Sequence, residues 1–161
     1  SHHQKITLMQ EVFAKIYEWF GLIPFYSKDM GDHLRGFDVT CTDYIATPWY
    51  SYIGWIMLVT TAFTFALQYY IVDSSRYNKA RHWWFFALGL VLLNFLIAFA
   101  IPYNDIQDSN FCNQLKLNTS DCVGFAFSNA LWSLIFYIII STIPVFRSRS
   151  TNCRHTTFWK P

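Results

Sequence analysis

Three long stretches of this chain lack Asp, Glu, Lys, Arg and His altogether: Trp49 to Val72, Trp83 to Asn104 and Cys122 to Phe146. An α-helix rises about 1.5 Å per residue, so a run of about 18 or more apolar residues crosses a hydrocarbon core roughly 30 Å thick. The pattern predicts transmembrane helices over residues 49–72, 83–104 and 122–146. Charges stand just outside each run, with Asp43 and Asp73 about the first, Arg81 and Asp105 about the second, and Asp121 and Arg147 about the third. Aromatic rings crowd the same boundaries: Trp49, Tyr50, Tyr52 and Trp55 open the first run and Tyr69 and Tyr70 close it, while Trp83 and Trp84 open the second and Tyr103 closes it. Rings with an apolar body and a polar tip settle at headgroup depth.

The N-terminal part has a different rhythm. Between Ile6 and Tyr26, Met9, Val12, Phe13, Ile16, Phe20 and Ile23 recur at helical spacing, and Glu11, Lys15 and Glu18 share the opposite face. Glu11 stands four residues ahead of Lys15, a favourable pair on a helix surface. Residues 1–26 therefore read as an amphipathic helix, either lying in the membrane interface or forming a fourth span. Lying flat keeps the three charges in water, whereas spanning buries them at about 2.5 kcal/mol or more each. A fourth span, on the other hand, spares the chain from translocating a long N-terminal segment that has no recognisable signal peptide. The fold class is an all-α integral membrane protein with three transmembrane helices and this additional helix.

Composition adds weight to that class. Only 14% of residues are charged and 53% are apolar, too little polar sequence to cover three buried helices of a soluble domain. Orientation follows from Lys and Arg in short loops. Residues 73–82 contain Arg76, Lys79 and Arg81, and residues 147–161 contain Arg147, Arg149, Arg154 and Lys160. Both segments are expected in the cytoplasm, as a basic loop and a basic C-terminal tail. Residues 27–48 and 105–121 are acid-rich, with Asp29, Asp32, Asp38 and Asp43 in one and Asp105, Asp108 and Asp121 in the other, and are expected outside. The location implied is a plasma membrane, either a bacterial inner membrane or a membrane of the eukaryotic secretory pathway.

Of the four cysteines, Cys112 and Cys122 bracket a short loop on the expected outer side. A disulfide between them would close a loop of about ten residues and contribute about 2 to 3 kcal/mol in the chain-entropy model. Cys41 lies on the same side and could compete. The same loop holds Asn118-Thr119-Ser120, an N-glycosylation sequon.

The spans also carry polar residues at regular spacing. Thr60, Thr64 and Gln68 recur every four residues on the first, as do Asn129, Ser133, Tyr137 and Ser141 on the third, and Asn94 lies midway along the second. Each set forms a stripe along one helix face. A polar stripe in lipid must face protein or water, because an unpaired amide or hydroxyl in hydrocarbon costs several kcal/mol. These residues are therefore candidates either for lining a water-filled path or for packing helix on helix. Small residues at the same spacing, Ala62 with Ala66, Gly124 with Ser128 and Ala126 with Ala130, suit close helix approach.

Motifs for catalysis are scarce. There is no H-E-x-x-H, no G-x-G-x-x-G, no Walker A loop and no G-x-S-x-G elbow, and no catalytic residue, metal ligand or cofactor site is expected. Arg76 to His82 and Arg149 to His155 share the R-x-x-x-x-x-H spacing of a class of metal-independent ribonucleases. That chemistry needs a soluble helical bundle, while Arg and His at membrane exits are accounted for by snorkelling and orientation. Direct nucleic-acid binding is not expected.

The expectation is a non-enzymatic, self-associating membrane subunit, acting as an oligomeric channel or membrane-permeabilising effector. The alternative is a membrane-embedded sensor or anchor whose Arg76, Lys79, Arg81, Arg147, Arg149 and Arg154 contact lipid headgroups or a soluble cytoplasmic partner. A membrane enzyme acting on lipid is a third, lesser reading. Glu11, Lys15 and Glu18 are candidate intramembrane or interfacial charges.

Overall fold

The computed structural model describes residues 12–13, 15–17, 30, 33–34, 49–109, 111, 113–115 and 117–159. Among these residues all regular structure is helical. Helix α1, Trp49–Ala66, runs directly into a π-helical turn, Leu67–Val72. After a short 3-10 turn at Ser75–Tyr77 come α2, Ala80–Gln107, α3, Thr119–Thr142, and the single turn α4, Pro144–Arg147. Three of these elements are long and apolar enough to cross a membrane: Trp49–Val72, Ala80–Gln107 and Thr119–Thr142.

The ends of the spans have local causes. At the start of α3 the Asp121 carboxylate accepts the Asn118 backbone N–H at 3.3 Å, so a side chain in the first turn satisfies the residue that caps it. This starts the helix three residues before Cys122, where the charge-free run begins. Its end comes at Thr142 rather than Phe146, because Ile143 precedes Pro144 and adopts an extended conformation, with φ −77° and ψ 115°, as residues before proline do. Proline then opens α4, where its missing N–H costs nothing. Helix α2 outruns its charge-free stretch by three residues at each end and continues through the buried Pro102. The π turn closing α1 ends on Asp73, which takes a left-handed conformation, φ 34° and ψ 57°, and donates its N–H to the Gln68 carbonyl. Asp is one of the few side chains that tolerate that region.

The chain divides into two compact units. One comprises Ser1–Ile56 and Phe95–Asn129, the other Met57–Asn94 and Ala130–Pro161. In the first, Val12, Phe13 and Lys15 to Tyr17 are helical, with Phe13 and Tyr17 buried and Val12 and Lys15 exposed. The Tyr17 ring stacks on Tyr50 at 5.6 Å and meets Phe125 edge-on at 5.2 Å. Phe13 lies against Gly54, where an added Cβ would strike its ring, and meets Trp55 at 5.6 Å. Phe13 is thus level with Gly54, and Tyr17 with Tyr50, so this helical segment runs antiparallel to α1.

The core of the second unit gathers Phe65, Tyr69, Trp83, Ala87, Leu90, Tyr137 and Cys153. Trp83 stacks on Tyr137 at 5.0 Å, and Phe65 on Tyr69 at 4.5 Å. Of the three spans, α3 is the most enclosed, and its small residues Gly124, Ala126, Ser128 and Ala130 are buried, whereas Ala62 on α1 is exposed. Close approach therefore uses the small residues of α3 and Gly54 of α1, not the Ala62 face.

The expected Cys112–Cys122 disulfide finds no support among the described residues. Cys122 is a free, fully buried thiol on the inward side of α3, beside the buried Phe125 and Ala126, where it packs as a small apolar group. Cys112 and Cys41 lie outside the described residues.

Candidate functional site

The polar residues of the spans are the first candidates, and most of them are bonded to other protein groups. In the second unit, Asn94 donates from Nδ2 to Thr60 Oγ1 at 3.0 Å and to the Leu90 carbonyl at 3.1 Å. Thr60 in turn donates to the Met57 carbonyl at 3.0 Å. One span is thereby tied to another through a chain of two side chains. The Tyr137 hydroxyl donates to Gln68 Oε1, joining α3 to the π turn. Both residues are fully buried, as is Asn94. Thr64 donates to the Thr60 carbonyl, Ser133 to the Ala130 carbonyl and Ser141 to the Ile138 carbonyl, which quiets those hydroxyls within their own helices.

In the first unit the Tyr17 hydroxyl donates to Asn129 Oδ1 at 2.6 Å, with both residues fully buried. Ser128 Oγ contacts the Tyr17 carbonyl at 3.5 Å. The same unit holds a buried His33 and Asp105, each 5% exposed, with Nε2 and Oδ2 2.9 Å apart. Phe111 faces the His33 ring edge-on at 6.3 Å. Neither the Tyr17 bond nor the His33–Asp105 pair has a signal in the sequence, since each joins residues more than seventy positions apart.

The basic loop and tail form the second candidate. Asp73 is its hub. Its Oδ1 accepts from Ser150 Oγ at 2.8 Å and from the Asn152 N–H at 2.7 Å, and its Oδ2 accepts from the Thr151 N–H at 3.1 Å. Asn152 Nδ2 also donates to the Asp73 carbonyl at 2.6 Å. The Asn152 N–H above all, assisted by Ser150 and Thr151 against the effect of partial desolvation, holds the Asp73 carboxyl below the usual carboxylate range.

Further bonds extend the contact along the tail. Asn78 Nδ2 donates to the Asn152 carbonyl, Thr156 Oγ1 to the Asn78 carbonyl at 2.6 Å, Tyr69 OH to the Thr156 carbonyl at 2.6 Å, and Trp84 Nε1 to the Phe158 carbonyl at 3.0 Å. The buried Cys153 thiol points at the Ser74 and Tyr77 carbonyls, and burial pushes its pKa up, so it is an inert packing group rather than a nucleophile.

The six basic residues divide in role. Arg147 is half-buried, and its guanidinium donates to the Arg154 carbonyl at 3.1 Å and the Thr142 carbonyl at 3.5 Å. It caps the end of α3 and holds the tail, a use that counting charges does not reveal. Arg76, Lys79, Arg81, Arg149 and Arg154 are exposed, and Arg76 lies over the Tyr77 ring at 5.8 Å. Glu11 and Glu18 lie outside the described residues. Among the described residues no group of His, Cys, Asp or Glu is placed to hold a metal ion.

Fold and sites together define a helical protein with three segments suited to a membrane. The chain matches no known family model, no curated protein and no solved structure.

Proposed function

We propose that this protein is a non-enzymatic, membrane-resident sensor or anchor, a helix bundle that does not conduct. One observation carries this reading. The polar side chains that could line a path, Thr60, Gln68, Asn94, Asn129 and Tyr137, are hydrogen-bonded to one another or to Tyr17. Such bonds hold membrane helices together at about 0.6 kcal/mol apiece. A pore around an axis between copies would draw on the outward residues of the spans, and the large ones there include Val59, Phe63, Leu88, Leu92, Leu96 and Phe127, which suit lipid and not ions.

In this reading the N-terminal helix is a fourth embedded element rather than an interfacial one. Tyr17 meets Asn129 about ten residues into α3, a depth of roughly 15 Å, and the segment runs antiparallel to α1. The basic loop and tail then face the cytoplasm, as the distribution of Lys and Arg favours.

Ion flux tests the reading. Purified full-length protein in liposomes should release no more trapped ion than empty liposomes. Flux that rises with protein content and falls in the Gln68→Leu and Tyr137→Phe variants would restore the channel.

A further inference from the structure

Between Asp73 and Arg81, and again between Arg147 and Trp159, the sequence holds six Lys or Arg residues and a single acid, Asp73. Both oxygens of that acid are occupied by the tail, through Ser150, Thr151 and Asn152. Arg147 is occupied by backbone carbonyls. The other five cations make no ion pair among the described residues. The bonds of Asp73, Asn78 and Thr156 join loop to tail, so Arg76, Lys79 and Arg81 are held on one strip and Arg149 and Arg154 on the strip fastened to it. The single carboxylate within these two segments, Asp73, is turned to holding the two strips together.

The neighbours of these cations point to what they meet. Arg81 is the second residue of the membrane-length helix α2. Trp84, 46% exposed, and Trp159, 58% exposed, lie at the same end, and Trp84 is tied to the tail through Phe158. Exposed indole rings beside a helix exit mark headgroup depth. Cations at that depth face phosphate before they face a soluble protein.

We propose that the fastened loop and tail form a preformed receptor for anionic phospholipid headgroups, in which Arg76, Lys79, Arg81, Arg149 and Arg154 take the phosphate oxygens. The proposal rests on the sensor or anchor reading and names what its basic end senses; lipid binding and ion flux are measured separately, so either fails without the other. Arg is suited to the task by its planar donors and Lys by its compact charge. Because the tail keeps loop and tail cations together, affinity depends on Asp73 although Asp73 repels the ligand.

That dependence supplies the test. The full-length protein in a neutral detergent is titrated with phosphatidylglycerol or phosphatidylcholine, and binding is read from the rise in melting temperature and by native mass spectrometry. Phosphatidylglycerol should bind the wild type, and the double variants Arg76→Gln/Lys79→Gln and Arg149→Gln/Arg154→Gln should each weaken it at least tenfold. Asp73→Ala removes a negative charge, so attraction by net charge alone would make binding tighter. A receptor held by the tail becomes weaker, by several-fold, and so does the charge-neutral Ser150→Ala/Asn152→Ala variant, which guards against misfolding of Asp73→Ala. Equal binding of the two lipids, or tighter binding by Asp73→Ala, would overturn the proposal. Preferential binding of a polyglutamate peptide over phosphatidylglycerol would overturn it too, in favour of an acidic protein partner.

Discussion

In the first unit the chain ahead of the spans is held by rings and a hydroxyl, with Phe13 on Gly54, Tyr17 on Tyr50 and Phe125, and the Tyr17 hydroxyl on Asn129. In the second unit the chain beyond the spans is held by a carboxylate and a series of bonds to backbone groups, with Asp73 on Ser150 to Asn152, Asn78 on Asn152, and Tyr69 on Thr156. The two devices suit different surroundings. Interlocked rings need no solvent, and the Tyr17 hydroxyl among them is paired with Asn129, an arrangement suited to apolar surroundings. Backbone bonds at an exposed end compete with water, so each contributes little and only the set is effective. The first contact should therefore be tight and vulnerable to a single change in shape, the second looser and sensitive to charge.

The largest effect is expected where the first unit departs from its own rule, at the buried His33–Asp105 pair. His33→Leu leaves the Asp105 carboxylate buried without its partner, at a cost of about 3 kcal/mol or more. Unfolding in mixed detergent measures it, and His33→Leu/Asp105→Leu should recover most of the loss, since replacing both partners is close to neutral. A double variant as unstable as the single one would show that the pair does not carry this stability.

A change of shape comes next. Gly54→Ala places a methyl group into the Phe13 ring and should cost about 1 to 3 kcal/mol by overpacking. Phe13→Leu in the same background should relieve it. Protease access to the segment around Phe13 reports the displacement, and an unchanged digestion pattern would mean that the ring does not seat on Gly54.

The smallest effect on global stability belongs to Asp73. Its folded carboxyl titrates below the normal carboxylate value, so the bond to the tail is fully present above about pH 4 and is lost as pH falls from there through the lowered folded value. Hydrogen-exchange protection at Thr151 and Asn152, taken relative to the intrinsic rate at each pH, should fall over that acid range in the wild type. Asp73→Asn should lack that protection at every pH, with the melting temperature of the long helices little changed. Equal protection in both proteins would remove the carboxylate from its proposed role.

Membrane-length helices were legible because the requirement is local: a helix satisfies its own backbone, and a run without charge tells its length. Stripes at four-residue spacing, with Thr60 and Gln68 on one run and Asn129 and Tyr137 on another, were legible for the same reason, as was the lone Asn94. Their partners were not legible. Whether a stripe meets water or another helix depends on which faces are brought together, and Tyr17 with Asn129, or Gln68 with Tyr137, lie far apart in the chain. Nor did spacing show the surroundings of Cys122, which sits beside a loop in sequence but is a free, buried thiol on α3 in space.

The sequence by itself thus determined three helices long and apolar enough to cross a membrane, their approximate limits and the uneven distribution of basic residues, because charge-free runs and clusters of Lys and Arg are local properties of the chain. Only the tertiary structure decided that the polar residues of the spans bond to one another, that Arg147 is a structural clamp, and that Asp73 joins a basic loop to a basic tail. Those outcomes depend on side chains meeting across long separations, and a hydrogen bond leaves no periodic trace in the chain that makes it.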